Sequence, residues 1–297
     1  KHKNTTSNST KEESLNSRLS YRQQLFKNAV TLQTVYETNS GNLPQQEFSY
    51  IEVDTGLGFY TWNDYNNNGI QELDEFETAQ FQDEANYVRV LLPTINFVKT
   101  HRNKFSQSLT IYPANWSNQK GFKKVLSHFT NQSFVLIDNK KKREGANFEL
   151  NPFNINDDVL SLTLNLKNSL FFNRGKQKYS TTYTYINTKN KNAFSIGDQE
   201  QNLQSHQLLF NHKFGKFWLF DFKTALTENK SASERFTSRN YTLENMEVNP
   251  KISYLYSKNS RLEVLYHFKN KDNQLGNLET LMSHNFGANF IFAKNQK

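Results

Sequence analysis

From residue 159 onward, apolar and polar residues alternate with a period of two. Leu160, Leu162, Leu164, Leu166, Leu170 and Phe172 interleave with Ser161, Thr163, Asn165, Lys167 and Ser169. Trp218, Phe220, Phe222 and Leu226 interleave with Asp221, Lys223 and Thr227. Ile252, Tyr254 and Tyr256 repeat the pattern, as do Leu262, Val264, Tyr266 and Phe268, and finally Met282, Phe286, Ala288, Phe290 and Phe292. Successive side chains of a strand point to opposite faces, so this pattern predicts strands with one apolar and one polar face. The expected strands run roughly 9–13 residues, longer than the usual five or six.

The connections constrain the fold further. Short turns are expected at residues 173–176, 215–216 and 258–259, and longer loops at 189–202, 228–239 and 271–277. Long one-sided strands joined alternately by short turns and long loops are the pattern of an antiparallel up-and-down transmembrane β-barrel. Its apolar face would meet lipid and its polar face would line the lumen. Phe171, Phe172, Phe217, Trp218 and Tyr256 suit the aromatic girdles at the two interfaces. Leu162, Phe220, Tyr254, Val264 and Phe290 are expected to face outward, from a sheet of about eight to twelve strands that is open or imperfectly closed. A soluble antiparallel sheet with one packed face also alternates, but accounts less well for the strand length and the loop asymmetry.

Composition fits this class. Only 35 % of the 297 residues are hydrophobic and mean hydropathy is −0.81, yet aromatics reach 14 %, with 25 Phe and 14 Tyr. A disordered chain would be poor in aromatics. There is no cysteine, which excludes thiol catalysis, disulfides and cysteine-based zinc sites. No apolar run approaches the length of a transmembrane helix. Neither end of the sequence looks like a natural terminus, so a fragment of a longer protein is expected.

The first hundred residues differ in character. Residues 1–36 read as a polar N-terminus followed by the first strands. Residues 37–100 read as a separate acidic module, and residues 101–297 as the barrel strands. No Lys or Arg stands between Lys27 and Arg89, while eleven acids do: Glu37, Glu47, Glu52, Asp54, Asp64, Glu72, Asp74, Glu75, Glu77, Asp83 and Glu84. All 36 Lys and Arg therefore lie outside this stretch, against 28 − 11 = 17 acids, so +8 overall conceals +19 in the remainder. Inside the module, strands are expected at residues 48–53, 59–62 and 87–92 and a short helix at 72–80. The basic run Lys140-Lys141-Lys142-Arg143 reads as a solvated loop tip.

Within the module, Asp64, Asn66 and Asn68 occupy the first, third and fifth positions of a loop, followed by Gly69 and by Glu72 and Glu75 at the ninth and twelfth. Calcium takes six to eight oxygen ligands, and this spacing lets alternate residues of a tight loop converge on one ion. The expected metal ligands are Asp64, Asn66, Asn68, the backbone carbonyl near Ile70, Glu72 and Glu75. The expected cofactor is therefore calcium, with a structural role. The same string also suits an ordinary Asn-Gly turn. Counting strand reversals back from residue 159 places the module on the side of the long loops.

Residues 53–77, including Asp54-Thr55-Gly56-Leu57-Gly58-Phe59-Tyr60-Thr61-Trp62 and the loop after it, resemble a stretch of large, poorly characterised outer-membrane or surface proteins of Bacteroidota. The Asn-, Lys- and Phe-rich remainder is similar in style to their C-terminal barrels. The resemblance implies an envelope location and a longer parent chain, and no reaction.

No catalytic constellation stands out: HExxH, GxSxG and phosphate-binding glycine loops are lacking from the sequence. His206 and His212 are too far apart along a strand to share a ligand. The acids at Glu72, Asp74, Glu75 and Glu77 could serve hydrolysis, but cation binding suits them better. Lysines and aromatics fall on opposite strand faces, which disfavours nucleic acid. The sequence therefore predicts a non-enzymatic outer-membrane barrel protein with a calcium-stabilised surface module. Its role would lie in envelope structure, assembly or transport, and its partners would be membrane lipid and other envelope proteins. The alternative is a soluble extracellular calcium-dependent adhesin or glycan-binding sheet.

Overall fold

The computed structural model describes residues 13–292 except 146, 156–158, 177, 195–196, 235–236, 258 and 277. It is an all-β antiparallel up-and-down sheet. The strands in chain order are β1 (Asn16–Leu25), β2 (Val30–Glu52), β3 (Tyr60–Trp62), β4 (Phe76–Thr78), β5 (Tyr87–Ile111), β6 (Phe129–Lys142), β7 (Val159–Phe172), β8 (Tyr179–Phe194), β9 (Gly197–Phe214), β10 (Trp218–Ser233), β11 (Tyr241–Leu255), β12 (Ser260–Asn273) and β13 (Thr280–Phe292). One short helix, α1 (Phe122–Leu126), lies between β5 and β6. Sheet order follows chain order, β1-β2-β5-β6-β7-β8-β9-β10-β11-β12-β13, with β3 and β4 attached beside the upper end of β5. The path of described strands does not close on itself.

Several strands exceed the expected lengths. The stretch 189–202 is not a loop: β8 and β9 continue through it, paired as far as Phe194 opposite Gly197. Both faces are polar there, so no apolar alternation marks it. Two diagonal ion pairs support the ladder, Lys189 to Glu200 at 2.8 Å and Lys191 to Asp198 at 2.7 Å. β10 likewise runs on to Ser233, which shortens the loop expected at 228–239. β2 and β5 run through both ends of the interval 37–100. Beyond their pairing with β1 and β6 they form a two-stranded ribbon that carries the acidic module. Pro93 does not end β5. Gln46 pairs with Ile95 and Phe48 with Leu91, so a register shift sits at the proline, where a missing N–H breaks no ladder bond.

The module has a small aromatic core. Tyr50 stacks on Phe76 at 4.1 Å between ring centroids, and Phe76 meets Tyr87 edge-on at 5.0 Å. Arg89, the first cation after the acidic stretch, lies over Phe48 and Tyr60 at 5.3 and 5.9 Å. Gly58 is required by close approach: a Cβ there would stand 2.6 Å from Tyr87 N and 2.8 Å from Ala85 O. The helix expected at 72–80 is instead a single 3₁₀ turn (Leu73–Glu75) followed directly by β4. The residues there lack an apolar stripe of helical period, and Phe76 is drawn into the strand pairing by the aromatic core.

Residues 147–155 fold back as a strap over the apolar face at the loop side of β2, β5 and β6. Buried polar side chains latch it. Asn103 Nδ2 donates to the Glu149 carbonyl at 2.6 Å, Asn139 Nδ2 to the Pro152 carbonyl at 2.8 Å, and Tyr36 Oη to the Leu150 carbonyl at 2.7 Å. His101 and Phe105 pack against Phe148 and Phe153. Leu162 belongs to the apolar face by register but is only 2 % exposed, in a cluster with Ile137 and Val159. The outward exposure expected for Leu162 is therefore corrected: its row lies where the strap covers the sheet.

Candidate functional site

Cross-strand register assigns each residue to one of two faces. One row runs Gln23, Leu32, Leu109, Ser133, Asn168, Tyr185, His206, Leu226, Met246 and Asn270, each directly opposite the next. Phe220, Tyr254, Val264 and Phe290 share this face. On β10 it presents Trp218, Phe220, Phe222, Thr224 and Leu226 before the first charge, Glu228. These nine residues span about 27–30 Å at 3.3 Å per residue. On β12 the same face shows Leu262, Val264, Tyr266 and Phe268 before Asn270 and Asp272. β7 shows Leu164, Leu166, Asn168, Leu170 and Phe172. No Asp, Glu, Lys or Arg enters this band on β6 through β13.

The opposite face is largely polar over the same length and carries ion pairs on several strands. Lys251 Nζ lies 3.1 Å from Asp221 and 4.0 Å from Glu263, whose carboxylate also pairs with Arg261 Nε at 3.1 Å. Lys269 pairs with Glu247 at 3.2 Å, and Arg102 donates to both oxygens of Asp138. Small polar residues between these ladders, such as Ser205 and Ser253, are buried. The apolar face is open by contrast: Phe286 is 82 % exposed, Phe290 70 % and Val264 55 %. A folded chain in water does not normally leave so large a contiguous apolar surface uncovered.

Aromatic rings sit at the short-turn end of the apolar face. Trp218 packs on Tyr254 at 4.8 Å, Phe172 lies between Phe129 and Tyr179, and Phe214 stacks on His212 at 4.0 Å. His206 and His284 also lie on this face, each bonded through Nδ1 to a neighbouring phenol, Tyr183 and Tyr266, at 2.7 Å. Each phenol thereby satisfies a polar ring atom within an apolar surface.

The Asp64 loop is built at the tip of the β2–β5 ribbon. Asp64 accepts backbone N–H groups from Asn68 at 3.1 Å and Gly69 at 2.8 Å. Asn66 Oδ1 accepts from Asn68 N–H at 2.9 Å, and Asn68 Oδ1 from Ile70 N–H at 2.7 Å. Gly69 takes a positive φ of 70°, which allows the chain to turn back under these oxygens. Asn66 Nδ2 donates to Glu72 Oε2 at 2.7 Å, so Asp64, Asn66, Asn68, Ile70 and Glu72 share one turn. Glu75 is turned the other way. Its Oε2 accepts from Trp62 Nε1 at 2.8 Å and faces the Glu72 N–H at 3.4 Å. The residue is only 2 % exposed, and Oε1 has no hydrogen-bond partner. Beside the loop, the Tyr65 phenol is raised above its ordinary pKa, chiefly by its hydrogen bond to the Glu77 carboxylate.

Among the described residues no three carboxylate or histidine side chains converge as a metal cluster. Among the same residues no helix is long and apolar enough to cross a membrane, which says nothing of strands. Comparison with family models, curated proteins and solved structures finds no match. The buried Glu75 orphan and the strap latches escaped the sequence pattern. Neither a polar residue at a strand end nor a lone Glu announces its burial before the long-range pairing is known.

Proposed function

We propose that this chain is a stretch of a bacterial outer-membrane β-barrel whose charge-free face lies against lipid and whose ion-paired face lines the lumen. The observation that carries the reading is the apolar band: one face has no ionic side chain for about nine residues per strand, while the other is largely polar and carries ion pairs on β5, β6 and β10–β12. That height suits the roughly 25 Å lipid-facing band of such barrels once strands tilt. The tilt has support in the register. Tyr36 on β2, at the upper part of the band, shares its row through Phe105, Ile137, Leu164, Lys189 and Asn202 with Lys230 on β10. Lys230 stands 230 − 226 = 4 residues beyond Leu226, so the band crosses the hydrogen-bonded rows obliquely, as staggered strands require.

On this reading the Asp64 module stands outside the cell. It shares the side on which β6, β10 and β12 end and β7, β11 and β13 begin, and the β2–β5 ribbon holds it well clear of the lipid band. Calcium is its proposed ion. Asp64, Asn66, Asn68, the Ile70 carbonyl and Glu72 would hold it; Glu75, which faces Trp62 here, would complete the site only by turning out of that bond. The fit rests on the turn that brings Asp64, Asn66, Asn68 and Glu72 together in a stretch without Lys or Arg. The ion would neutralise carboxylates that otherwise repel one another. The role proposed is envelope structure, assembly or transport, with membrane lipid and other envelope proteins as partners and no reaction of its own.

The test is solvent dependence. The chain should fold only with detergent or bilayer and float with liposomes. Folding as a monomer in plain buffer would favour a soluble calcium-dependent adhesin or glycan-binding sheet instead.

A further inference from the structure

Among the described residues the sheet has two unpaired edges. β1 pairs only with β2, and β13 pairs only with β12. The path from one to the other has eleven strands, these two included, and each neighbouring pair is antiparallel. An odd number of alternating strands puts the first and last in the same direction. Both β1 and β13 therefore start on the side of the Asp64 module and finish on the side of the short turns.

Every second residue of an edge strand turns its N–H and C=O away from the sheet. In β13, a strand of 13 residues, these groups flank Phe286 and Phe290, two of the most exposed apolar side chains. Hydrocarbon offers them no hydrogen bond, so a lipid-embedded edge must be paired. Direct closure of β13 on β1 would make a parallel seam. A second copy inserted in the same orientation has every edge running the same way as well. It too could offer only parallel pairing, whichever edges met.

We propose that the edges of β1 and β13 are bridged by an odd number of further transmembrane strands, one in the simplest case, supplied by polypeptide other than residues 13–292. This rests on the membrane reading above. The bridging strand starts at the short-turn side and runs toward the module. It continues the outward row of Met282, Phe286, Ala288, Phe290 on one edge and Leu19, Tyr21, Leu25 on the other with apolar residues at alternate positions. Its other face is polar, matching Ser283, Asn285 and Asn289.

Hydrogen exchange of the chain in micelles tests this. Alone, the amides of β1 and β13 should exchange about 100-fold faster than those of β9 and β10, since opening an unpaired edge requires no disruption of the sheet. A variant with a second copy of residues 256–273 appended after residue 297 supplies one turn and one strand of the required direction and alternation. In it, exchange at both edges should slow about tenfold or more while the protein stays monomeric. A monomer of the unextended chain with β1 and β13 protected like β9 would overturn the proposal in favour of parallel closure. So would a disulfide between Tyr21→Cys and a cysteine at Phe286, Ala288 or Phe290. A dimer protected at both edges would overturn it in favour of self-pairing. Folding in plain buffer would remove the membrane reading itself, a result that detergent dependence registers separately.

Discussion

Leu226 and Glu228 are consecutive residues on the same face of β10, and charge enters that face between them. The step continues across the sheet. Glu228 lies directly opposite Glu244, and Glu244 opposite Asp272, so three acids stand side by side on adjacent strands. Like charges in direct register destabilise a sheet. Lys230 relieves only the first, at 2.8 Å from Glu228. The amides of Gln274 and Asn270 donate to Glu244 and Asp272 but cancel no charge; on the proposed membrane reading this row lies above the hydrocarbon, with Leu226 at its upper limit.

A charge placed below that line should be costly. Val264→Lys, on the open apolar face of β12, should lower stability in bilayers by about 2–4 kcal/mol. Asn289→Lys, exposed on the polar face of β13, should change it by no more than about 0.5 kcal/mol. Denaturant unfolding in liposomes measures both. Equal effects would mean that the two faces see the same solvent.

The polar face makes a different demand. Glu263 is held between Arg261 and Lys251 and is largely buried, so Glu263→Gln should cost about 1–2 kcal/mol. Its partners are partly exposed, which keeps the loss below that of a fully buried pair. The difference between wild type and variant should shrink in high salt, because the remaining cations repel less when screened. A salt-independent loss would point to packing around the side chain instead of charge.

The strands after residue 159 were legible because one apolar face imposes a period of two on the sequence. Phe220, Tyr254, Val264 and Phe290 share one apolar face for that reason. Where both faces are polar, as from Lys189 to Asn202, the same strands left no periodic trace and read as a loop. The strand expected at 87–92 instead runs on through Pro93, which is absorbed by a register shift between Gln46 and Phe48. Leu162 was legible as a face but not as an environment, because the strap that buries it comes from residues 147–155. In the Asp64 loop the turn was readable from Asn and Gly alone. That Glu75 points to Trp62 was not, since it depends on the pairing of Trp62 with Phe76.

Trp62 makes the ion site measurable. Its indole N–H is bonded to Glu75, which must leave that bond to close around calcium, so binding should change its emission. With Trp116 and Trp218 replaced by Phe, titration should show saturable binding at about 10⁻⁴–10⁻³ M calcium. Glu75→Gln should weaken it at least about tenfold, and Asp64→Ala should abolish it. Chelation should loosen residues 52–84 and leave the strands after 159 unchanged, as hydrogen exchange can record. Magnesium and calcium giving the same flat response would reduce residues 64–75 to an Asn-Gly turn.

Acid should release the strap. Asn154 Nδ2 donates to Glu149 Oε2 at 3.0 Å, and the Asn151 N–H donates to Oε1 at 3.2 Å. These bonds favour the ionised carboxyl, the Asn154 bond most, and hold its pKa below the ordinary glutamate value. A lowered folded pKa means that the stabilisation is complete above the unfolded pKa, about 4.3, and is lost as pH falls through the lower folded value. The strap should therefore stay latched at neutral pH and loosen progressively below about pH 4. Phe148 and Phe153 should become mobile together with it, since Glu149 and Asn151 fix the turn between them. Nuclear magnetic resonance of the Asn154 side-chain amide and the two Phe rings reports this directly. Glu149→Gln should have a looser strap at pH 7 and no further loosening in acid. A strap in that variant that still opens between neutral and acid pH would move the trigger to another group.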